Sequence, residues 1–346
     1  MHTTTPAVLV VNDWAQQGKV EGAARGFAHH GLAITSTDEV LAFHAGQLVT
    51  FAPSGDLLRV SRPGLTEGHG ITVVSEDGDD MVWVADPGFA IDCGTGTGDG
   101  KLPPTFGTGL DLEVRPGRVV KLSLDGEITL ELPTPPSPDD SPGPFAPYAP
   151  TSVAVDEVGL GGTGDIWVAD GYGSNAVHRY SSSGAHLQSL TGTEGAGRFD
   201  CPHAVFIHRV EGRDPEVYVA DRGNARVAVY GLDGTFRRAI GDGFLTSPSG
   251  FARWGDLLVV VELFARLTLL DLNDHLVGRL GEDPEATDRV GWPNAHNGIG
   301  AARVPDALRP GVLNSPHAAA VNSRGELFVA EWVIGGRYTK FVRHQD

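Results

Sequence analysis

The chain has 346 residues, 40% of them hydrophobic, and sets 26 Lys and Arg against 44 Asp and Glu for a net charge of −18. That balance excludes the basic face that nucleic acid or an anionic membrane requires, and no run approaches the roughly 18 apolar residues of a membrane helix. The opening "MHTTTPAVLVVNDW" lacks the basic and apolar regions of an export signal, and two cysteines, Cys93 and Cys201, cannot build a disulfide framework. A reducing, cytoplasmic setting is therefore expected, with a single bridge as the open alternative.

From the N-terminus, "AVLVV" (7–11) reads as an isolated strand. "HGLAITSTDEVLAFHAGQLVTFAPSG" (30–55) then begins a pattern of strand, polar turn, strand, turn and strand, bounded by Gly, Asp and Asn. "HGITVVSEDGDDMVWVADPGF" (69–89) repeats it and resumes at "GRVVKLSLDG" (117–126) after an insertion at 90–116. A Pro-rich segment (133–150) precedes the third copy, 151–184, and the fourth follows at 203–234. The fifth spans 249–274, an insertion holding "GWPNAHNGIG" covers 283–312, and the sixth runs over 317–343. Six antiparallel units in one chain predict an all-β, six-bladed β-propeller forming a single domain over 1–346. The sixth copy shows only three strands, so 7–11 is expected to supply its fourth and close the ring. The insertions are candidate lids over one face, or decoration.

The first residues of the six innermost strands are His30, His69, Thr151, His203, Ser249 and His317. Neighbouring blades of a six-bladed ring stand about 60° apart, and alternate blades about 120°. His69, His203 and His317 fall on alternate blades, so three imidazoles are expected to converge with an open fourth position, as in a His₃ metal site. Zn²⁺ suits such a site, and imidazoles also accept Fe²⁺ or Mn²⁺. Hydrogen-bonded histidines without a metal are the bland alternative. His30 breaks the threefold pattern and is read as an acid/base, a fourth ligand or a pore-lining residue. In an antiparallel pair the end of the second strand returns to the start of the first. Tyr172 and Arg222, which follow "IWVAD" and "VYVAD", are thus placed at the same mouth, one as proton carrier or ligand, the other as contact for an anion or oxyanion.

The wording "VAD…NARVAVY" is similar to NHL repeats, and "GRFDCPHAVFI…VYVADRGNARVAVY" with "IWVADGYGSNAVHRY" resembles peptidyl-α-hydroxyglycine α-amidating lyase. The resemblance implies a zinc site at His69 ("EGHGITV"), His203 ("CPHAVFI") and His317 ("SPHAAAV"), with Tyr172 and Arg222 in the family's catalytic positions. It implies cleavage of a carbinolamide C–N bond, releasing an amide and glyoxylate. Two positions depart from it. His44 is followed by Ala45 in "AFHAG", where the family carries a catalytic Arg, and Ala318 stands where an Asp helps to hold a structural Ca²⁺. The expected activity is therefore a metal-dependent lyase or hydrolase acting on a small polar, carbinolamide-like molecule. A non-catalytic NHL-type binding propeller is the first alternative. A calcium-dependent lactonase-like hydrolase is the second, although it would need oxygen ligands where nitrogen stands here.

Overall fold

The repeat folds into six four-stranded antiparallel sheets, each running from an innermost to an outermost strand, the blade pattern of a six-bladed β-propeller. The computed structural model describes residues 5–15, 17–24, 26–92, 111–138, 147–296, 302–303 and 308–344. Blade 1 comprises Leu32–Ile34, Val40–His44, Gln47–Phe51 and Leu57–Ser61. Blade 2 comprises Gly70–Glu76, Asp79–Asp86, Arg118–Ser123 and Ile128–Glu131, and blade 3 Ser152–Val155, Ile166–Asp170, Ala176–Tyr180 and His186–Leu190. Blade 4 runs through Pro202–His208, Glu216–Asp221, Arg226–Gly231 and Phe236–Ile240, and blade 5 through Pro248–Trp254, Leu257–Glu262, Arg266–Leu270 and Leu276–Leu280. Blade 6 takes Pro316–Val321, Glu326–Glu331 and Arg337–Arg343 from the C-terminus. Its outermost strand is Val8–Val11, with Val8 opposite Arg343 and Val11 opposite Lys340. The expected closure by the N-terminal strand is present.

The chain divides into two compact units. One holds Met1–Gly68, Gly88–Arg115 and Ala252–Asp346, the other His69–Pro87 and Pro116–Phe251. In the first, Trp14, Leu32, Val40 and Phe51 of the N-terminal region pack on Ala320, Phe328 and Tyr338 of blade 6. Trp254, Val259 and Leu267 of blade 5 meet Leu327, Val329 and Phe341 on the other side of that blade. In the second unit, Val74, Trp83 and Val119 of blade 2 pack on Val153, Ile166 and Val168 of blade 3. Trp167, Ala169 and Val177 of blade 3 likewise meet Val205, Val217 and Val219 of blade 4. Second strands such as Ile166–Asp170 and Leu257–Glu262 are buried along their whole length. A strand covered on both faces reads as an unbroken apolar run rather than an alternating one.

Those runs end on acids that fasten the following turn. Asp170 accepts from the Ala149 N–H (2.8 Å) and from the Ser174 N–H (2.7 Å) and hydroxyl (2.6 Å). Asp221 accepts from the Asp200 N–H (2.8 Å), Asn224 (2.8 Å) and Arg226 (2.7 Å). Glu331 accepts from the Asn314 N–H (2.8 Å) and Arg337 (3.2 Å). These carboxylates set turn geometry.

In the first insertion Phe89–Asp92 pairs with Asp111–Val114, and residues 93–110 lie outside those described. Within 133–150 the described residues carry no strand, and 139–146 lie outside. In the third insertion Ala295–His296 pairs with Ala302–Arg303, while 297–301 and 304–307 lie outside.

Candidate metal centre

In the second unit four predicted residues come together. His69 directly precedes the first strand of blade 2 and is fixed by its N–H to the Ala85 carbonyl (3.0 Å). His203 occupies a β-bulge, the register of blade 4 slipping between Pro202 and Ala204. This explains the recurring Pro-His pair. Proline tolerates the first position of a strand, where no ladder donor is needed, and the bulge re-aims the histidine that follows. Pro316-His317-Ala318 repeats the device in blade 6.

Hydrogen bonding sets the tautomer of each predicted ligand. The Nδ1–H of His69 donates to the Thr151 carbonyl (2.6 Å), and that of His203 to the Ser249 carbonyl (2.7 Å). In the other unit the Nδ1–H of His317 donates to the His30 carbonyl (3.1 Å). A carbonyl can only accept, so Nδ1 carries the hydrogen and the neutral ring keeps its lone pair on Nε2. A buried carbonyl holding the far nitrogen is the outer-shell support typical of metal-binding histidines. Each of the three rings, taken by itself, thus has the tautomer in which Nε2 could serve a divalent metal of the zinc type.

Tyr172 lies against both histidines of the second unit. Its hydroxyl is 3.1 Å from His203 Nε2 and 3.3 Å from His69 Nε2. One phenolic proton can serve only one of these nitrogens at a time. Arg222 is fastened through its N–H to the Cys201 carbonyl (3.1 Å) and through Nη2 to the Cys201 thiol (3.2 Å). It stands 5.5 Å over the Tyr172 ring, with Nη2 3.5 Å from the hydroxyl. Burial opposes its charge, but the neighbouring thiol and phenol outweigh this and hold its pKa above the usual arginine value. Cys201 is a free cysteine whose thiol burial pushes up, against the pull of Arg222.

His30 sits differently from its neighbours in the alignment. Its Nδ1–H donates to the Gly31 carbonyl (2.9 Å) and its Nε2 accepts from the Tyr338 hydroxyl (2.7 Å), so the ring has two partners of its own. Burial, then His44, holds its pKa well below the usual histidine value. What it offers His317 is its main-chain carbonyl. His44 donates from Nε2 to the Gly335 carbonyl (3.2 Å), and burial brings its pKa down to about 4. Ala45 and Gly46 form the two-residue hairpin after it, both with positive φ, so the position of the family's catalytic Arg is spent on a turn. The sequence reading missed His29. Its buried ring lies 4.7 Å from that of His317 and 5.3 Å from Trp332. The signal was the pair His29-His30. Only the second of these two neighbours was aligned with the other strand starts.

No family model matches the sequence. Human NHL repeat-containing protein 3 is 28% identical over 245 residues, which cover 68% of this chain and 60% of that protein. The chain thus spans about three fifths of the length of that curated relative. Among solved structures, virginiamycin B lyase from Staphylococcus aureus superimposes with a TM-score of 0.55 at 12% identity, covering 98% of this chain and 100% of its own. A streptogramin B lyase gives 0.53 at 12% identity over 97% and 98% of the two chains. A Bacteroides thetaiotaomicron protein of unknown function gives 0.61 at 14% over 98% and 77%. At these identities the likeness concerns the fold: the chain is an all-β, six-bladed propeller whose sequence is similar to that of an NHL repeat protein. Enzymes are among its structural neighbours.

Proposed function

We propose that this propeller is a metal-dependent lyase acting on a small polar substrate of the carbinolamide type. In this reading His69, His203 and His317 hold one Zn²⁺, or Fe²⁺ or Mn²⁺, with His29 as an additional imidazole of the donor set. The single observation that carries it is the threefold repetition of one device: an imidazole on an even-numbered blade whose Nδ1–H is held by a carbonyl at the start of the following odd-numbered blade. The shared tautomer is the one a metal-binding imidazole needs, with the far nitrogen anchored and Nε2 carrying the lone pair.

A bound divalent ion would polarise the substrate hydroxyl and stabilise its alkoxide. Tyr172, as the phenolate that a neighbouring cation and Arg222 would favour, would accept the hydroxyl proton and return it to the departing amide nitrogen as the C–N bond breaks. The products are then an amide and an aldehyde, without net redox change and without water. Arg222, already against the phenol, would hold a substrate carboxylate or a developing oxyanion. His30 would act through its carbonyl, as the residue that orients His317. The lyases among the structural neighbours support this choice over a binding propeller only as a precedent for such chemistry on this fold.

The first test is elemental analysis of the untagged protein beside a His203→Ala variant, followed by assay of carbinolamides for aldehyde release. About one equivalent of metal, lost in the variant while the fold survives, is the expected result. No metal, and no uptake of Zn²⁺, Fe²⁺ or Mn²⁺, would sink the lyase reading and leave a binding propeller.

A further inference from the structure

The second unit carries a cavity at the far end of the same strands. His69 and Thr151 precede the first strands of blades 2 and 3, whereas the cavity is lined by the residues that end them, Val74, Ser75 and Glu76 on one side and Val155 on the other. Seven residues of strand at about 3.3 Å each separate the two places by roughly 20 Å. The cavity is thus not part of the metal centre. Its volume is about 260 Å³, which at about 30 Å³ per water corresponds to a ligand of roughly nine non-hydrogen atoms.

Its walls combine apolar surface with one carboxylate that burial disfavours despite partial compensation. Val74, Trp83, Val155 and Ile166 supply the apolar part, and Val158, 69% exposed, stands at the rim. Lys121 is already engaged: its ammonium donates to Glu76 at 2.7 Å and lies 5.7 Å over the Trp83 ring. Among the described residues Glu157 forms no such ion pair. The Ser75 N–H is its hydrogen-bond partner, and Arg209 acts only from a distance. Burial raises its pKa, the sign of a carboxylate whose charge is costly where it sits. The lining charges sum to about −1, one Lys against two Glu, in an apolar pocket.

We propose that this cavity between blades 2 and 3 binds a small ammonium ion with an apolar body, its cation on Glu157 and its body against Trp83 and Ile166. A carboxylate ligand would meet a lysine whose charge is already satisfied and a second anion that burial disfavours. An uncharged ligand would leave Glu157 as costly as before.

The test titrates the full chain with phenethylammonium, with the neutral 2-phenylethanol and the anionic phenylacetate as comparators of similar size, by calorimetry. Saturable one-to-one binding of the cation is expected, at least tenfold tighter than either comparator. Glu157→Gln should weaken it tenfold or more, and Val158→Arg, an exposed rim change that leaves the fold alone, should also weaken it by adding a like charge. Lys121→Ala should tighten it by freeing Glu76. Absence of binding, equal binding by Glu157→Gln with an unchanged melting curve, or preference for the anion would each overturn the proposal.

Discussion

Tyr172→Phe separates a proton carrier from a ligand. The substitution keeps the ring, so the edge contacts with His69 (5.1 Å between centroids) and His203 (5.6 Å) persist. What is lost is one neutral hydrogen bond to an imidazole and a long contact with Arg222 at 3.5 Å. A net intramolecular hydrogen bond is worth about 1 kcal/mol, so the metal-free variant should lose about that much stability in a urea melt. The lone pairs that accept from the phenol are those that would bind a metal, so the metal-bound protein has already given up that bond. The thermodynamic cycle then makes metal binding by the variant equal to, or up to roughly fivefold tighter than, that of the parent, since about 1.4 kcal/mol is tenfold. The assay is a competition titration against a chromogenic chelator, with His203→Ala alongside, and carbinolamide turnover measured on the loaded proteins. Retained metal with lost turnover is expected. Metal affinity reduced tenfold or more in Tyr172→Phe would refute the reasoning and make the phenol a ligand.

Three further outcomes are expected. His44 titrates near 6.5 unfolded and about 4 folded, so between those values the unfolded chain binds more protons and stability rises with pH, flattening above 6.5. Glu331, pushed up to about 6 by burial, works in the opposite direction over part of that range, which is why the comparison must be between variants. From pH 7 to 5 the His44 contribution is roughly 2 kcal/mol, and His44→Gln should remove it from the pH dependence of the urea midpoint; an unchanged slope would count against a buried neutral imidazole. A Cβ on Gly70 would stand 2.6 Å from Ser152 Cα and 2.8 Å from the Thr151 carbonyl that holds His69. Gly70→Ala should cost about 1–3 kcal/mol by overpacking and weaken metal binding by about 10–100-fold, and tight binding in a destabilised variant would show the carbonyl to be dispensable. Asp221→Ala strands the buried end of a three-donor network and should cost about 3–5 kcal/mol, whereas a loss under about 1 kcal/mol in a denaturant melt would contradict it.

The inner architecture was legible because burial writes itself into composition. "DIWVAD", "EVYVAD" and "DLLVVVE" are apolar on both faces, and each is the second strand of a blade. The outermost strands escaped notice for the converse reason. Leu57–Ser61 and Phe236–Ile240 alternate half-buried with exposed positions, and Arg59, Arg237 and Arg238 interrupt any apolar run. Tyr172 and Arg222 could be placed beside the histidines of their unit from antiparallel pairing alone, since the turn after a second strand must come back to the start of the first. Proximity to His30 was less informative, because its ring is taken up by Gly31 and Tyr338.

The half of the site that the sequence cannot display is the half made of backbone. Thr151, Ser249 and His30 have nothing chemical in common, yet each lends its carbonyl to the Nδ1–H of a histidine. Position, not side chain, is what they share: each lies within two residues of the start of the innermost strand of an odd-numbered blade, and each recipient within one residue of that of an even-numbered blade. An alignment that asks which residue type recurs therefore finds three histidines and discards their three partners as noise. His30 shows both sides of this: its imidazole is taken up by Gly31 and Tyr338, while its carbonyl accepts from His317. On this view the imidazole of His30 should be replaceable by any side chain that satisfies Tyr338 and leaves the strand in register, whereas a change that shifts the backbone at 30, 151 or 249 should disturb the facing histidine whatever residue is used.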